Sequence, residues 1–287
     1  MKPFSAPIIA VGPGSQPAEG EELACTSMPH LEPVAAPVPP EPSTPEEGAA
    51  AADLVHTVLE RMRNYPAERN PPALDLSSVA PRLLELLNQS LGEGEVSIVV
   101  PALSQTEAAL QIQETAFTGL WRVRRFDAVA ELMQDTLEVA DIPADVRQRA
   151  ALGTSMDTAI GELPAGLMNA PALLGEIAHQ VANFDPDAPP HVINLTLLPM
   201  QPQDLEAIDV FLGQGPVLML SRGFGNCRIA SSRLRHVWRI QYFNSMETRI
   251  LDTIEITAMP AVALAADEDI AESAQRLQEL VDWLRNG

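Results

Sequence analysis

The chain has 287 residues, of which 46% are hydrophobic, and it carries a formal net charge of −21. This length and apolar content can supply buried cores for two modest domains, while the acidic balance argues against nucleic acid and anionic membranes as partners, since both bind clustered Lys and Arg. An acidic surface instead favours a cationic partner, through long-range steering, or simply keeps the protein soluble.

Residues 1–52 form a Pro- and Glu-rich segment. Such a segment cannot bury enough apolar surface to offset its ordering entropy, so we predict that most of it is disordered. One piece differs, because 7–11 is apolar and is followed by the turn-forming Gly12-Pro-Gly-Ser. This piece could add as a strand to the folded body or to a partner.

After residue 52 the same order of predicted elements occurs twice. Each copy has a helix, a proline-rich connector, a short apolar run, a second helix and an antiparallel meander of three apolar runs. The helices are predicted at 53–64 and 80–90 in the first copy, and at 169–183 and 202–212 in the second. An amphipathic helix at 267–286 ends the chain.

Segments of the two copies align at a constant offset. LWRVRRFD (120–127) matches VWRIQYFN (237–244), and DTLEV (135–139) matches DTIEI (252–256). A repeat of this kind predicts a tandem duplication of an α+β module, related by a pseudo-twofold axis or by translation. We therefore predict a tail at 1–52, a first module with its connecting segment at 53–168, and a second module with the C-terminal helix at 169–287.

The apolar alternation changes phase inside the long middle run of each meander. Because a shift of one residue turns a side chain to the other face of a sheet, each copy should contain a bulge or a turn. We predict these irregularities near 117–119 and 234–236.

Residues present in both copies are predicted to be structural. They are Trp121 and Trp238, Arg122 and Arg239, Phe126 and Phe243, and Asp135 and Asp252. The aspartates alternate in phase with apolar neighbours (Met133, Leu137, Ile250 and Ile254), so they should face inward and pair with an arginine of a neighbouring strand. The less favoured alternative is a paired-carboxylate acid/base site.

The two copies differ most at one turn of the meander, which we predict to bind a partner. In the second copy this turn consists of Arg222, Gly223, Phe224, Gly225, Asn226, Cys227 and Arg228. The glycines would set its shape, the arginines would donate hydrogen bonds, and Cys227 would anchor the strand behind. Its backbone N–H groups could also bind an anion. A merely tight hairpin is the alternative.

No catalytic, metal-binding or cofactor-binding residue is predicted. Cys25 and Cys227 are too few for a disulfide framework or a cysteine metal cage, and the histidines lack metal-ligand spacing. Cys227 is either a small buried residue or, if exposed, a thiol whose pKa is lowered by the flanking arginines. No apolar run approaches the roughly 20 residues of a membrane helix, and a signal core is absent, so we expect a cytoplasmic protein.

Several long motifs resemble the HupH/HyaF family of hydrogenase expression proteins. They are HVINLTLLP (191–199), LGQGPV (212–217), SRGFGNCRIASS (221–232), VWRIQYFNS (237–245), ILDTIEI (250–256) and the opening PIIAVGPGSQP (7–17). The resemblance implies an accessory protein, not an enzyme, in the maturation of an uptake [NiFe]-hydrogenase. It also implies a chaperone that binds the immature iron–sulfur small subunit before twin-arginine export, together with a thioredoxin-like companion. The alternative is a thiol-dependent enzyme or cluster-handling factor centred on Cys227.

Overall fold

The fold was derived from a computed structural model that describes residues 42–152, 154–222 and 226–286. The first half contains α1 (Pro45–Asn64), β1 (Leu74–Asp75), α2 (Pro81–Leu91), β2 (Val96–Val100), β3 (Ala109–Glu114), β4 (Leu120–Phe126), β5 (Leu132–Val139) and α3 (Ala144–Ala151). The second half contains α4 (Ala170–Ala182), β6 (His191–Asn194), α5 (Pro202–Leu212), β7 (Leu218–Ser221), β8 (Asn226–Ser231), β9 (Val237–Phe243), β10 (Arg249–Ile256) and α6 (Asp267–Asn286). The fold is therefore α+β, as predicted.

All ten strands form one antiparallel sheet in the order β1-β5-β4-β3-β2-β7-β8-β9-β10-β6. The halves meet where β2 pairs with β7, and Ile98 lies opposite Met219 at the centre of this pair. These two residues are equivalent in the sequence repeat, so the pair has the self-complementary register of a twofold axis. Translation would make equivalent strands parallel. That the halves arose by duplication stays a prediction.

The meander of each half has four strands rather than the predicted three. The long middle run divides into β3 and β4 in the first half and into β8 and β9 in the second. A bulge or a turn was predicted near 117–119 and near 234–236, and the structure has a turn at both positions. Gly119 and His236, which are equivalent in the repeat, both adopt positive φ there, at 80° and 65°. The strands β1 and β6 then pair with β5 and β10 at the outer edges of the sheet.

The helices agree with the apolar periodicity, with two differences. Helix α1 begins at Pro45, because Thr44 caps it by accepting a hydrogen bond from the backbone N–H of Glu47. Residues 45–52, which composition assigned to a disordered tail, are therefore helical, whereas the 7–17 motif lies outside the described residues. Helix α3 was not predicted, since it buries only Val146 and has no apolar stripe.

The helices divide between the two faces of the sheet. On one face, α1, α2 and α6 cover the first half and α4 and α5 cover the second, forming two buried clusters. We call this the helical face. The opposite face is covered by α3 and by a segment that includes Met259 and Leu264. Trp121 and Trp238 are buried beneath that cover, each 1% exposed, and this cluster extends across both halves.

Candidate functional site

The helical face is incompletely covered at its centre. Side chains alternate along a strand, so every second side chain of the four central strands, β3, β2, β7 and β8, points towards this face. These side chains, which we call the central face, are Ser97, Val99, Gln111, Gln113, Leu218, Leu220, Arg228 and Ala230. None of them is buried, and Val99 is 52% exposed although β2 lies in the middle of a ten-stranded sheet. The two halves thus build one accessible surface together.

The predicted partner-binding turn lies at the end of this surface. Gly223, Phe224 and Gly225 lie outside the described residues, whereas Arg222 and Asn226 are half-buried on either side of them. The backbone N–H of Arg222 donates to the carbonyl of Glu95 at 3.1 Å, which ties the turn to the start of β2. Arg228 belongs to the central face, opposite Leu220 on β7 and Gln241 on β9.

Cys227 points the other way. It is 4% exposed and packs in the cluster on the opposite face of the sheet. Burial raises the pKa of its thiol to about 11, so the thiolate is scarce at neutral pH. The two predicted partner-binding residues Cys227 and Arg228 therefore lie on opposite faces of the sheet. Arg228 belongs to the accessible central face, whereas Cys227 packs in the core on the other face. The arrangement does not supply an activated thiol.

Thiol labelling of a Cys25→Ser variant checks this description of Cys227. We expect the remaining thiol to react with a disulfide reagent at least 100-fold more slowly in the native protein than in denaturant, because the thiolate is both buried and disfavoured. Native labelling at the rate of the unfolded chain would contradict the burial and would reopen a thiol-based role.

The paired aspartates are buried as the alternation predicts. Asp135 and Asp252 are each 3% exposed. Nε of Arg122 donates to Asp135 at 2.8 Å, and Nε of Arg239 donates to Asp252 at 2.9 Å, with a second bond from Nη2 in each case. The predicted inward neighbours Met133 and Ile250 are exposed instead, because each lies where the strand pairing shifts register and the alternation is interrupted. Phe126 and Phe243 are half-buried.

A cavity of about 440 Å³ opens over the first-half part of the central face, and Ser97, Val99, Gln111 and Gln113 belong to both. It lies between α2 and the strands β2, β3 and β4. Its polar lining includes Asn88, Gln111, Arg122 and Arg124. Sequence analysis treated Arg122 as structural and missed Arg124, although the two arginines alternate on one strand and must share a face. Ligand pockets of proteins have volumes in this range.

Neither a metal site nor a membrane span is found in the part of the chain that the structure describes. Within that part, no three His, Cys, Asp or Glu side chains converge where they could hold a metal ion. None of the described helices combines the length and the hydropathy needed to cross a bilayer. What the described surface offers is the central face, with a cavity over its first-half part.

Comparisons with known proteins agree on one family. The family described as "HupH hydrogenase expression protein, C-terminal conserved region" matches residues 49–157 and again 167–284. The hydrogenase expression/formation protein HoxQ of Cupriavidus necator is 40% identical over 288 residues, covering 99% of both chains. HupH of Rhizobium leguminosarum is 41% identical, covering 80% of both. A solved structure, the hydrogenase expression protein HupH from Thiobacillus denitrificans, is 27% identical with a TM-score of 0.37, covering 39% of this chain and 92% of that one.

Proposed function

The chain belongs to the HupH family of hydrogenase expression proteins, and from this we propose that it is a non-enzymatic accessory protein in the maturation of an uptake [NiFe]-hydrogenase. Its task in this proposal is to hold the immature iron–sulfur small subunit in the cytoplasm before export, alone or with a thioredoxin-like companion. Relatives that align over 99% and 80% of both chains carry names referring to hydrogenase expression or formation.

The observation that carries the binding role is the central face. It is accessible, it spans both halves, and it combines the aliphatic Val99, Leu218 and Leu220 with Arg228. Val99 is exposed, and Leu218 and Leu220 are half-buried. Accessible aliphatic side chains beside arginine suit a protein interface, where arginine is enriched relative to the rest of the surface. Arg222 lies at the end of the same face, so a partner lying across the sheet would meet both arginines.

The test is an Arg222→Ala, Arg228→Ala double variant, checked by circular dichroism to be folded. We expect its capture of the small-subunit precursor from hydrogenase-producing cells to fall at least tenfold, with a matching loss of hydrogenase activity. Hot-spot arginines in interfaces commonly have effects of this size. The measurement is a quantitative pull-down followed by an activity assay.

The matched control is an Arg63→Ala, Arg285→Ala double variant. Both side chains are about half exposed, at 47% and 45%, and lie on α1 and α6 away from the central face. This control should bind like the parent. If the Arg222, Arg228 variant also binds like the parent and supports full activity, the central face is not the binding surface. Cys227 gives no support to a thiol-dependent alternative, because it is buried and its pKa is raised.

A further inference from the structure

One arginine has different surroundings in the two halves. In the second half, Arg239 donates to Asp252 through Nε and Nη2, and its remaining nitrogen Nη1 contacts Asp209 on α5. Its guanidinium is therefore bound by two carboxylates, one from the sheet and one from the helix above. The side chain of Arg239 is 13% exposed, whereas that of Asp209 is 47% exposed, so the second carboxylate reaches a largely buried guanidinium from the solvent side.

In the first half the helix carboxylate is missing. Asn88 on α2 occupies the position equivalent to Asp209, and within the described residues no hydrogen bond joins it to Arg122. Among the described residues, Asp135 is the one ion-pair partner of Arg122. Both Arg122 and Asn88 line the cavity of about 440 Å³. The position that the carboxylate of Asp209 occupies in the second half therefore corresponds, in the first half, to Asn88 at the edge of the cavity.

The ion pairs differ in the same sense. In the second half, Arg239 and Arg249 both pair with Asp252, and Arg239 also pairs with Asp209. In the first half, Arg122 pairs with Asp135, and Arg124 lines the same cavity. Arg124, whose equivalent is Gln241, has no ion pair within the described part of the chain.

The remaining lining shows what else a ligand would meet. Aliphatic side chains form much of the wall, namely Leu76, Leu87, Leu91, Val99 and Leu137. Two acidic residues are also among those that line the cavity, namely Glu93, which is exposed, and Glu114, which is 7% exposed. Burial raises the pKa of Glu114 to about 7, so this group is mostly neutral at pH 6. A ligand that bonds Arg122 and Arg124 and packs against the aliphatic wall would have one anionic end and an apolar body.

We propose that this cavity binds a carboxylate carried on an aliphatic stem, with the carboxylate next to Arg122 and Arg124 as that of Asp209 is next to Arg239. The stem packs against the leucines of α2 and against Val99. Such a group can be a free branched-chain acid or the C-terminal residue of a peptide. The inference concerns ligand chemistry alone and does not depend on which protein the central face binds.

The probes are 4-methylpentanoate, its neutral amide, acetyl-glycyl-leucine and inorganic phosphate, each titrated at pH 6. The readout is the methyl NMR spectrum of the full chain labelled at Leu and Val. We expect saturable shifts at Leu87, Leu91 and Val99 with the two carboxylates, and at least tenfold weaker binding of the amide and of phosphate. If 4-methylpentanoate binds more tightly, the ligand is a small-molecule acid. If acetyl-glycyl-leucine binds more tightly, the ligand is the C-terminal residue of a peptide.

Two variants copy the second half into the first. Asn88→Asp supplies the internal carboxylate, and Arg124→Gln removes the lining arginine that has no ion pair within the described residues, so each should weaken carboxylate binding at least tenfold. Arg63→Gln on α1, which is exposed and distant from the cavity, should leave binding unchanged. The proposal would be overturned if neither carboxylate gave saturable shifts, or if the amide or phosphate bound as tightly as the carboxylates. It would also be overturned if the Asn88→Asp variant bound the carboxylates as tightly as the parent.

Discussion

Replacing Asp135 by alanine is expected to lower the free energy of unfolding by about 3–5 kcal/mol, the usual cost of breaking a buried ion pair. Asp135 is 3% exposed and its partner Arg122 has a side chain that is 12% exposed. The variant would leave this guanidinium without a carboxylate in the described part of the chain. Most of the cost comes from that uncompensated charge rather than from the lost pair itself.

Asp252→Ala is expected to cost less, because Arg239 keeps its contact with Asp209. Urea unfolding of the parent and of both variants gives the three free energies. Asp53→Ala, which removes a carboxylate that is 78% exposed, is the control and should change stability within about 0.5 kcal/mol. If Asp135→Ala were no more costly than this control, the carboxylate would be solvated in solution.

Elements that produce one strong hydrophobic pattern could be predicted from the sequence alone. Helix α6 spans 267–286 as its apolar stripe predicts, and its buried residues include Ile270, Leu277 and Val281. The buried aspartates follow from alternation within β5 and β10, since a strand fixes which side chains share a face. The split of the middle run was recognisable as a change of phase, yet phase alone does not distinguish a bulge from a turn.

Other features depend on contacts between distant segments. The central face is accessible because α2 and α5 each pack on only their own half of the sheet. The apolar periodicity of a helix predicts which side of the helix is buried, but it does not predict which strands that side covers. Arg124 lines the cavity for the same reason, because α2 leaves part of the first half of the sheet uncovered. The opposed directions of Cys227 and Arg228, by contrast, could have been derived, because adjacent residues in a strand face opposite ways.

Glu114 is a buried carboxyl group whose ionisation should lower the stability of the fold. It is 7% exposed, and burial is the largest cause that raises its pKa, to about 7, with Glu95 and Asp269 adding repulsion. The backbone N–H of Gly119 donates to it at 3.2 Å and opposes this shift. The unfolded chain releases the proton near the ordinary value of 4.5, whereas the folded chain keeps it until about 7. Between these values the native state binds more protons, so stability falls as pH rises and is constant again above about 7.

Glu114→Gln removes this penalty, since the amide is neutral at every pH and its oxygen can still accept from Gly119. We expect the variant to match the parent near pH 4 and to exceed its free energy of unfolding by about 3 kcal/mol at pH 8, from about 1.4 kcal/mol for each pKa unit. Urea unfolding from pH 4 to pH 8 measures the difference, with Glu272→Gln on the exposed side of α6 as the control. The gain should grow through the window between 4.5 and 7. A gain of the same size at every pH would mean that packing, rather than the ionisation of Glu114, separates the two proteins.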